Sequence, residues 1–143
     1  MANPEQQIRA IIDERVAAVR AKQPEPLAAR QGEEIVTFDV LPPLNARGKD
    51  AVAEKTQAWL NAYASDIGYD VQQLEIHASE DVAFCSFVYR VSGTLVSGDA
   101  VNMWVRATLG LRRFDGDWRI VHDHESVPWD PQTGQGLIDL TPA

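Results

Sequence analysis

The chemistry-bearing residues of this chain gather in WRIVHDHESVPWD, residues 118–130. Read as a strand, Trp118, Ile120, His122, His124 and Ser126 share one face, and Arg119, Val121, Asp123, Glu125 and Val127 share the other. One face therefore carries two imidazoles and the other two carboxylates. Histidines two apart on a strand can share a metal, but no third ligand with suitable spacing accompanies them, so neither metal nor other cofactor is expected. Paired carboxylates suit proton transfer, one as acid and the other as base or water-positioning group. Two further charges could join Asp123 and Glu125. Asp39 closes the run EEIVTFDV just before Pro42 and Pro43. Desolvated on an apolar wall it would be a competent base for taking a proton next to a carbonyl; otherwise it is a strand-ending, turn-capping aspartate. Arg15 stands between Ile12 and Val19 on the apolar face of a helix. It either snorkels out of that face or turns inward and pairs with Asp39, Asp123 or Glu125, where it would favour an anionic intermediate or hold a ligand carboxylate.

These side chains need a scaffold, and the hydrophobic periodicity supplies one. Ile8, Ile11, Ile12, Val16 and Val19 recur at helical spacing over residues 4–22, with Pro4 suited to the first turn. Pro24 and Pro26 end that helix and open a short second one that stops by Gly32. A strand over residues 33–40 leads to the paired prolines, and a second long helix spans 48–67, its Val52, Thr56, Trp59, Leu60 and Tyr63 facing inward. Strands at 69–78, 82–96, 100–114 and 118–127 follow, separated by turn sequences. The tail from residue 128 reads as a loop across the body. This order gives an α+β domain, a curved antiparallel sheet wrapped around helices to enclose a cone. Trp59 and Tyr63 belong to the core and are also placed to line that cone.

The face of the 100–114 strand that enters the cone depends on the Asp115-Gly116 turn. A type I turn with Gly116 in a bulge puts Met103, Val105, Ala107, Leu109 and Leu111 with Val121, Asp123 and Glu125. A two-residue turn would bring Trp104, Arg106 and Thr108 inward instead. The first choice makes an apolar wall with carboxylates toward the open end, and is the one adopted. Met103 and Val105 then join Trp59 and Tyr63 as substrate-contacting residues.

Composition bounds the partners. The 143 residues are expected to form one domain throughout, and 45% hydrophobic with 24% charged residues is a globular balance. A net charge of -8 argues against nucleic acid and anionic membrane surfaces. The lone Cys85 sits in the apolar run VAFCSFVYRV and reads as a small buried hydrophobe. The start MANPEQQIRA has neither the basic segment nor the apolar run of an export signal, so a cytoplasmic location is expected.

The spelling W-x-I-x-H-x-H-x-S-x-x-P from Trp118 to Pro128, with the Asp-Gly turn before it, resembles the SnoaL-like branch of the nuclear transport factor 2 superfamily and the association domain of calcium/calmodulin-dependent kinase. FDVLPPLNARGKDAV is similar to the strand-end aspartate, proline turn and glycine-started helix of ketosteroid isomerases, with Asp39 and Gly48 at the family's separation. The resemblance implies Asp39 as general base. It also puts Arg15 where the isomerases hold the enolate with a tyrosine and Gly110 where they use a protonated aspartate, so a steroid isomerase is not expected. What it implies instead is a cofactor-independent isomerase, cyclase, dehydratase or hydrolase acting on a small apolar molecule with a carbonyl or carboxylate, or a non-catalytic binding or assembly module of the same fold. The related families pair through the outer sheet face. The resemblance therefore implies a homodimer through Trp104, Arg106, Trp118, Ile120, His122 and His124.

Overall fold

The first helix, α1 (Pro4–Arg20), begins where its sequence provides a cap. Asn3 accepts a hydrogen bond from the Gln6 amide at 2.8 Å, the Gln6 side chain accepts from the Asn3 amide at 3.0 Å, and Pro4 fills the first position, where its missing N–H costs nothing. The computed structural model describes residues 3–143; Met1 and Ala2, part of the segment read for an export signal, lie outside the described residues. Ile8, Ile11, Ile12 and Val19 drop from one side of α1 into the core. A short α2 (Pro24–Ala29) turns the chain back toward the sheet.

Strand β1 (Gln31–Phe38) pairs antiparallel with the two-residue β2 (Ala46–Arg47), and α3 (Lys49–Asn61) starts at Gly48, whose φ of 93° suits glycine. The helix stops short of residue 67. Ala64 N–H donates to the Thr94 carbonyl at 2.8 Å, and Tyr63 forms a bridge with Leu95, so this segment is tied to the end of a strand rather than to the helix. The approach is close enough that a β-carbon on Gly93 would lie 2.9 Å from the Tyr63 ring, which explains glycine there.

Four strands complete the main sheet: β3 (Gly68–Ala78), β4 (Val82–Thr94), β5 (Ala100–Phe114) and β6 (Asp117–Ser126). The order is β2-β1-β6-β5-β4-β3, with every neighbouring pair antiparallel except β1 and β6, which run parallel. The end strands do not pair, so the sheet curves without closing. A bulge in β3, where Gln73 has φ 57°, and another in β6 supply local bending. The core lies between α1, α3 and the concave face. The tail forms a small hairpin of β7 (Trp129–Asp130) and β8 (Gln135–Gly136) where a plain loop was expected. No helix among the described residues is long and apolar enough to cross a membrane.

The β5–β6 hairpin departs from expectation in a way that matters for the site. Asp115 (φ 49°) and Gly116 (φ 83°) form a two-residue turn that pairs Phe114 with Asp117, not the bulged type I turn. Leu111 then pairs with Ile120, but Gly110 pairs with His122, leaving Val121 as an extra residue. That bulge flips the alternation. Trp118 and Ile120, each 3% exposed, are therefore core residues and not part of the outer face, while Asp123 and Glu125 beyond the bulge still turn inward with Leu109 and Ala107. Two departures from regularity cancel, and Met103 and Val105 keep their place on the inner face.

Candidate active site

A cavity of about 340 Å³ opens between α1, α3 and the concave face of the sheet. All eight residues singled out from the sequence line it: Arg15, Asp39, Trp59, Tyr63, Met103, Val105, Asp123 and Glu125. They are not one cluster. Arg15 reaches from α1 to β6, placing its Nη2 at 2.9 Å from Asp123 Oδ2 and 3.3 Å from Glu125 Oε2. All three side chains are at most 14% exposed. Asp39 stands apart at the mouth, just past the end of β1. Its carboxylate accepts from the Val40 amide at 2.7 Å and pairs with Lys55 at 3.2 Å, and 35% of the side chain is exposed. Asp39 is thus the most exposed of the three carboxylates lining the cavity. Trp59 and Tyr63 meet edge to face at 5.8 Å on the helical wall, opposite Met103 and Val105.

Two tyrosines that the sequence reading did not select complete the polar cluster. Tyr89 donates its hydroxyl to Glu125 Oε1 at 2.5 Å, and Arg15 Nε donates to the Tyr69 hydroxyl at 3.3 Å. Their rings stack at 4.5 Å across β3 and β4. The signal for Tyr89 was present in the alternation of Ala83, Cys85, Phe87 and Tyr89, which shares a face with the apolar Cys85. Gln31 and Thr37 also line the cavity from β1, and Thr37 pairs with Asp123 across the parallel strands.

The electrostatics follow from burial. Removal from water opposes the Arg15 charge, but Tyr69, Asp123 and Glu125 around it more than compensate, and the guanidinium is held well above its ordinary value. Glu125 moves in the opposite sense to an ordinary paired carboxylate. Burial and the adjoining Asp123 push its carboxyl well above the usual range, and Arg15 offsets only part of this. Tyr89 and Tyr69 are also raised, chiefly by burial, and so remain protonated hydrogen-bonding groups. Cys85, wholly buried, is pushed up to about 11 and is inert as a nucleophile.

On the convex side, His122 donates its Nδ1–H to the Val36 carbonyl at 2.8 Å, and Phe38 packs edge-on against both His122 and His124. Among the described residues, no three His, Cys, Asp or Glu side chains converge as a metal site.

The fold has known counterparts. The family model described as a SnoaL-like domain matches residues 8–130. An NTF2-like protein of unknown function from Pseudomonas putida is 30% identical over 96% of both chains, with a TM-score of 0.88. An uncharacterised protein with a cystatin-like fold from Caulobacter vibrioides is 20% identical over 90% of this chain and 92% of its own, with a TM-score of 0.76. A protein from Streptomyces avermitilis carrying a provisional dehydratase assignment is 14% identical over 85% of this chain and 94% of its own, with a TM-score of 0.75. No curated protein matches the chain. The match across most of the sequence and the closeness of the Pseudomonas structure establish the family: the chain belongs to the SnoaL-like branch of the nuclear transport factor 2 superfamily.

Proposed function

We propose that the cavity is an acid–base active site for a small, largely apolar molecule, with Glu125 as the acid. The supporting observation is the buried Glu125 carboxyl, pinned between Tyr89 and Arg15 beside a second carboxyl in an otherwise apolar cavity. Two carboxyl groups sharing one guanidinium out of water hold a proton between them, and the direction of the Glu125 shift makes it the proton's resting place. Asp123 is then the base, and Arg15 keeps the pair from accumulating net negative charge as the proton moves. A β-hydroxy ketone shows how the step balances. Asp123 takes the proton next to the carbonyl, the carbon–oxygen bond breaks, Glu125 gives its proton to the departing hydroxyl, and enone and water leave. The two carboxyls, neighbours on one strand face, then exchange the proton and reset. Isomerisation or cyclisation would use the same two roles.

The dehydratase assignment of the Streptomyces neighbour is compatible with this chemistry. A direct test follows the absorbance of benzylideneacetone as its β-hydroxy ketone precursor loses water. Wild type should accelerate the loss over buffer, and Glu125→Gln should reduce that acceleration by about 100-fold or more. Equal rates for wild type and variant would instead favour a ligand-binding module without chemistry.

The same reading includes a second copy of this chain on the convex sheet face. Val82 and Phe84 are about half exposed there, at 56% and 49%, with Phe84 aligned through Gly110 with His122, while Arg106 and Trp104 lie farther along the same face of β5. Exposed large apolar side chains on a sheet face are characteristically covered by a partner.

A further inference from the structure

Proton abstraction beside a carbonyl puts negative charge on the carbonyl oxygen, and in an apolar cavity that oxygen needs a hydrogen-bond donor. Asp123 and Glu125 are occupied with the proton transfers themselves. Arg15 carries donors on Nε, Nη1 and Nη2. Nε is spent on the Tyr69 hydroxyl, and Nη2 on Asp123 and Glu125. Nη1 has no hydrogen-bond partner among the described residues. It is also not one of the unpaired polar atoms that protein covers, which are Gln31 Oε1, Thr37 Oγ1, Arg113 Nε and Asp123 Oδ1. The Arg15 side chain lines the cavity and keeps 13% of its surface exposed, so Nη1 is a cationic donor still open to an occupant.

We propose that Arg15 Nη1 holds the carbonyl oxygen of the substrate, and that the substrate is a neutral ketone or aldehyde. This rests on the acid–base reading of the cavity and supplies the oxyanion donor that the reaction requires. The fork of one guanidinium sets a carbonyl oxygen on Nη1 beside Asp123 Oδ2 on Nη2, which brings the C–H next to that carbonyl to the base. Negative charge passes from Asp123 to the carbonyl oxygen as the C–H bond breaks. It passes on to Glu125 as the carbon–oxygen bond breaks and the Glu125 proton leaves with the hydroxyl as water. All three acceptors lie on the same cation, so no step strands a charge in the cavity. The single open nitrogen also selects among ligands. It suits one acceptor atom, whereas a carboxylate would leave its second oxygen against an apolar wall, near the Asp123 carboxylate.

Benzylacetone, a ketone without the β-hydroxyl and so unable to lose water, probes the contact in the intact protein. With its carbonyl labelled with carbon-13, isotope-edited infrared spectroscopy reads the bound C=O stretch. The band should fall below its frequency in water, because a guanidinium in a water-poor site polarises the bond more than water does. A band at or above the water frequency overturns the assignment, as does failure of benzylacetone to bind at millimolar concentration. By calorimetry at neutral pH, benzylacetone should bind about tenfold tighter than phenylbutyrate; equal or tighter binding of the carboxylate overturns the substrate class. Arg15→Lys keeps a cation for Asp123 and Glu125 but removes the second nitrogen. It should return the band toward the water frequency and weaken benzylacetone about tenfold, and an unchanged band excludes Nη1 as the donor. If that variant does not fold, the wild-type band decides alone. The two readings fail separately. A lowered band without accelerated dehydration of the β-hydroxy ketone leaves a carbonyl-binding cavity with no chemistry, whereas acceleration without a lowered band puts the oxyanion donor elsewhere.

Discussion

The Tyr89 hydroxyl and the Glu125 carboxyl lie 2.5 Å apart at the inner wall of the cavity, 36 residues apart in the chain. The contact depends on register: Tyr89 pairs with Val105, Glu125 pairs with Ala107, and the neighbouring β4–β5 and β5–β6 pairings carry both side chains to the same face. Tyr89, held protonated by burial, donates to that carboxyl. Arg15 donates to the carboxyl's other oxygen. These two donors fix the carboxyl in place and favour its charged form, while burial and the neighbouring Asp123 outweigh them and raise its pKa, which lets it serve as a proton donor.

The site should be fragile to loss of its cation. Arg15→Met leaves Asp123 and Glu125 together without a counterion, and breaking a buried pair in this way costs about 3–5 kcal/mol. Urea unfolding at neutral pH measures it. Lowering the pH should return part of the loss, since protonation of the carboxyls removes the uncompensated charge.

Stability should also carry a signature of Glu125. Its pKa is raised on folding, so the folded state binds more protons than the unfolded chain in the interval between the two values. The stabilisation is complete below the unfolded value of about 4.3 and is lost as pH rises through the folded value. Glu125→Gln removes this dependence. Unfolding free energies of the two proteins at mildly acidic and mildly alkaline pH should therefore converge or cross as pH rises; a constant difference would show that Glu125 titrates normally.

The bulge at Val121 makes opposite predictions for residues that simple alternation puts together. Trp118, buried and donating its indole N–H to Gln7 at 2.9 Å, should cost about 3–5 kcal/mol when replaced by Ala, with no selective effect on association. Phe84→Asp, on the convex face, should leave the fold intact and convert a dimer to a monomer in light scattering. A wild-type monomer would remove the proposed partner.

Asp39 separates two placements of the base. With the base at Asp123, Asp39→Asn should change turnover by less than about tenfold, because it acts only through the rim pair with Lys55. A loss as large as that of Glu125→Gln would put the base at the mouth.

Much of this architecture was legible because periodicity reports burial. The start of α1 and the four-strand meander follow from which residues must avoid water, whereas Asp123 and Glu125 face inward as expected only because the two-residue turn and the bulge at Val121 offset one another. What alternation does not reveal is a backbone irregularity. One extra residue at Val121 sends Trp118 and Ile120 to the same side as Asp123 and Glu125, and nothing in the residue types announces it. Long-range pairings are equally silent. The parallel alignment of β1 with β6 brings Thr37 beside Asp123, and that neighbour relation exists only in the folded sheet. Arg15 shows the intermediate case: an arginine on an apolar helix face either snorkels to water or pairs inside, and only the folded structure decides for the inward pairing and for Asp123 and Glu125 over Asp39.

The account rests on Glu125 holding a proton that an ordinary glutamate would have lost. Carbon-13 NMR of the side-chain carboxyl, followed through a pH titration and assigned by its absence in Glu125→Gln, measures this directly. A midpoint well above the usual carboxylate range is the predicted result. A midpoint at about 4.3, the value for a free side chain, would contradict the assignment of Glu125 as the acid.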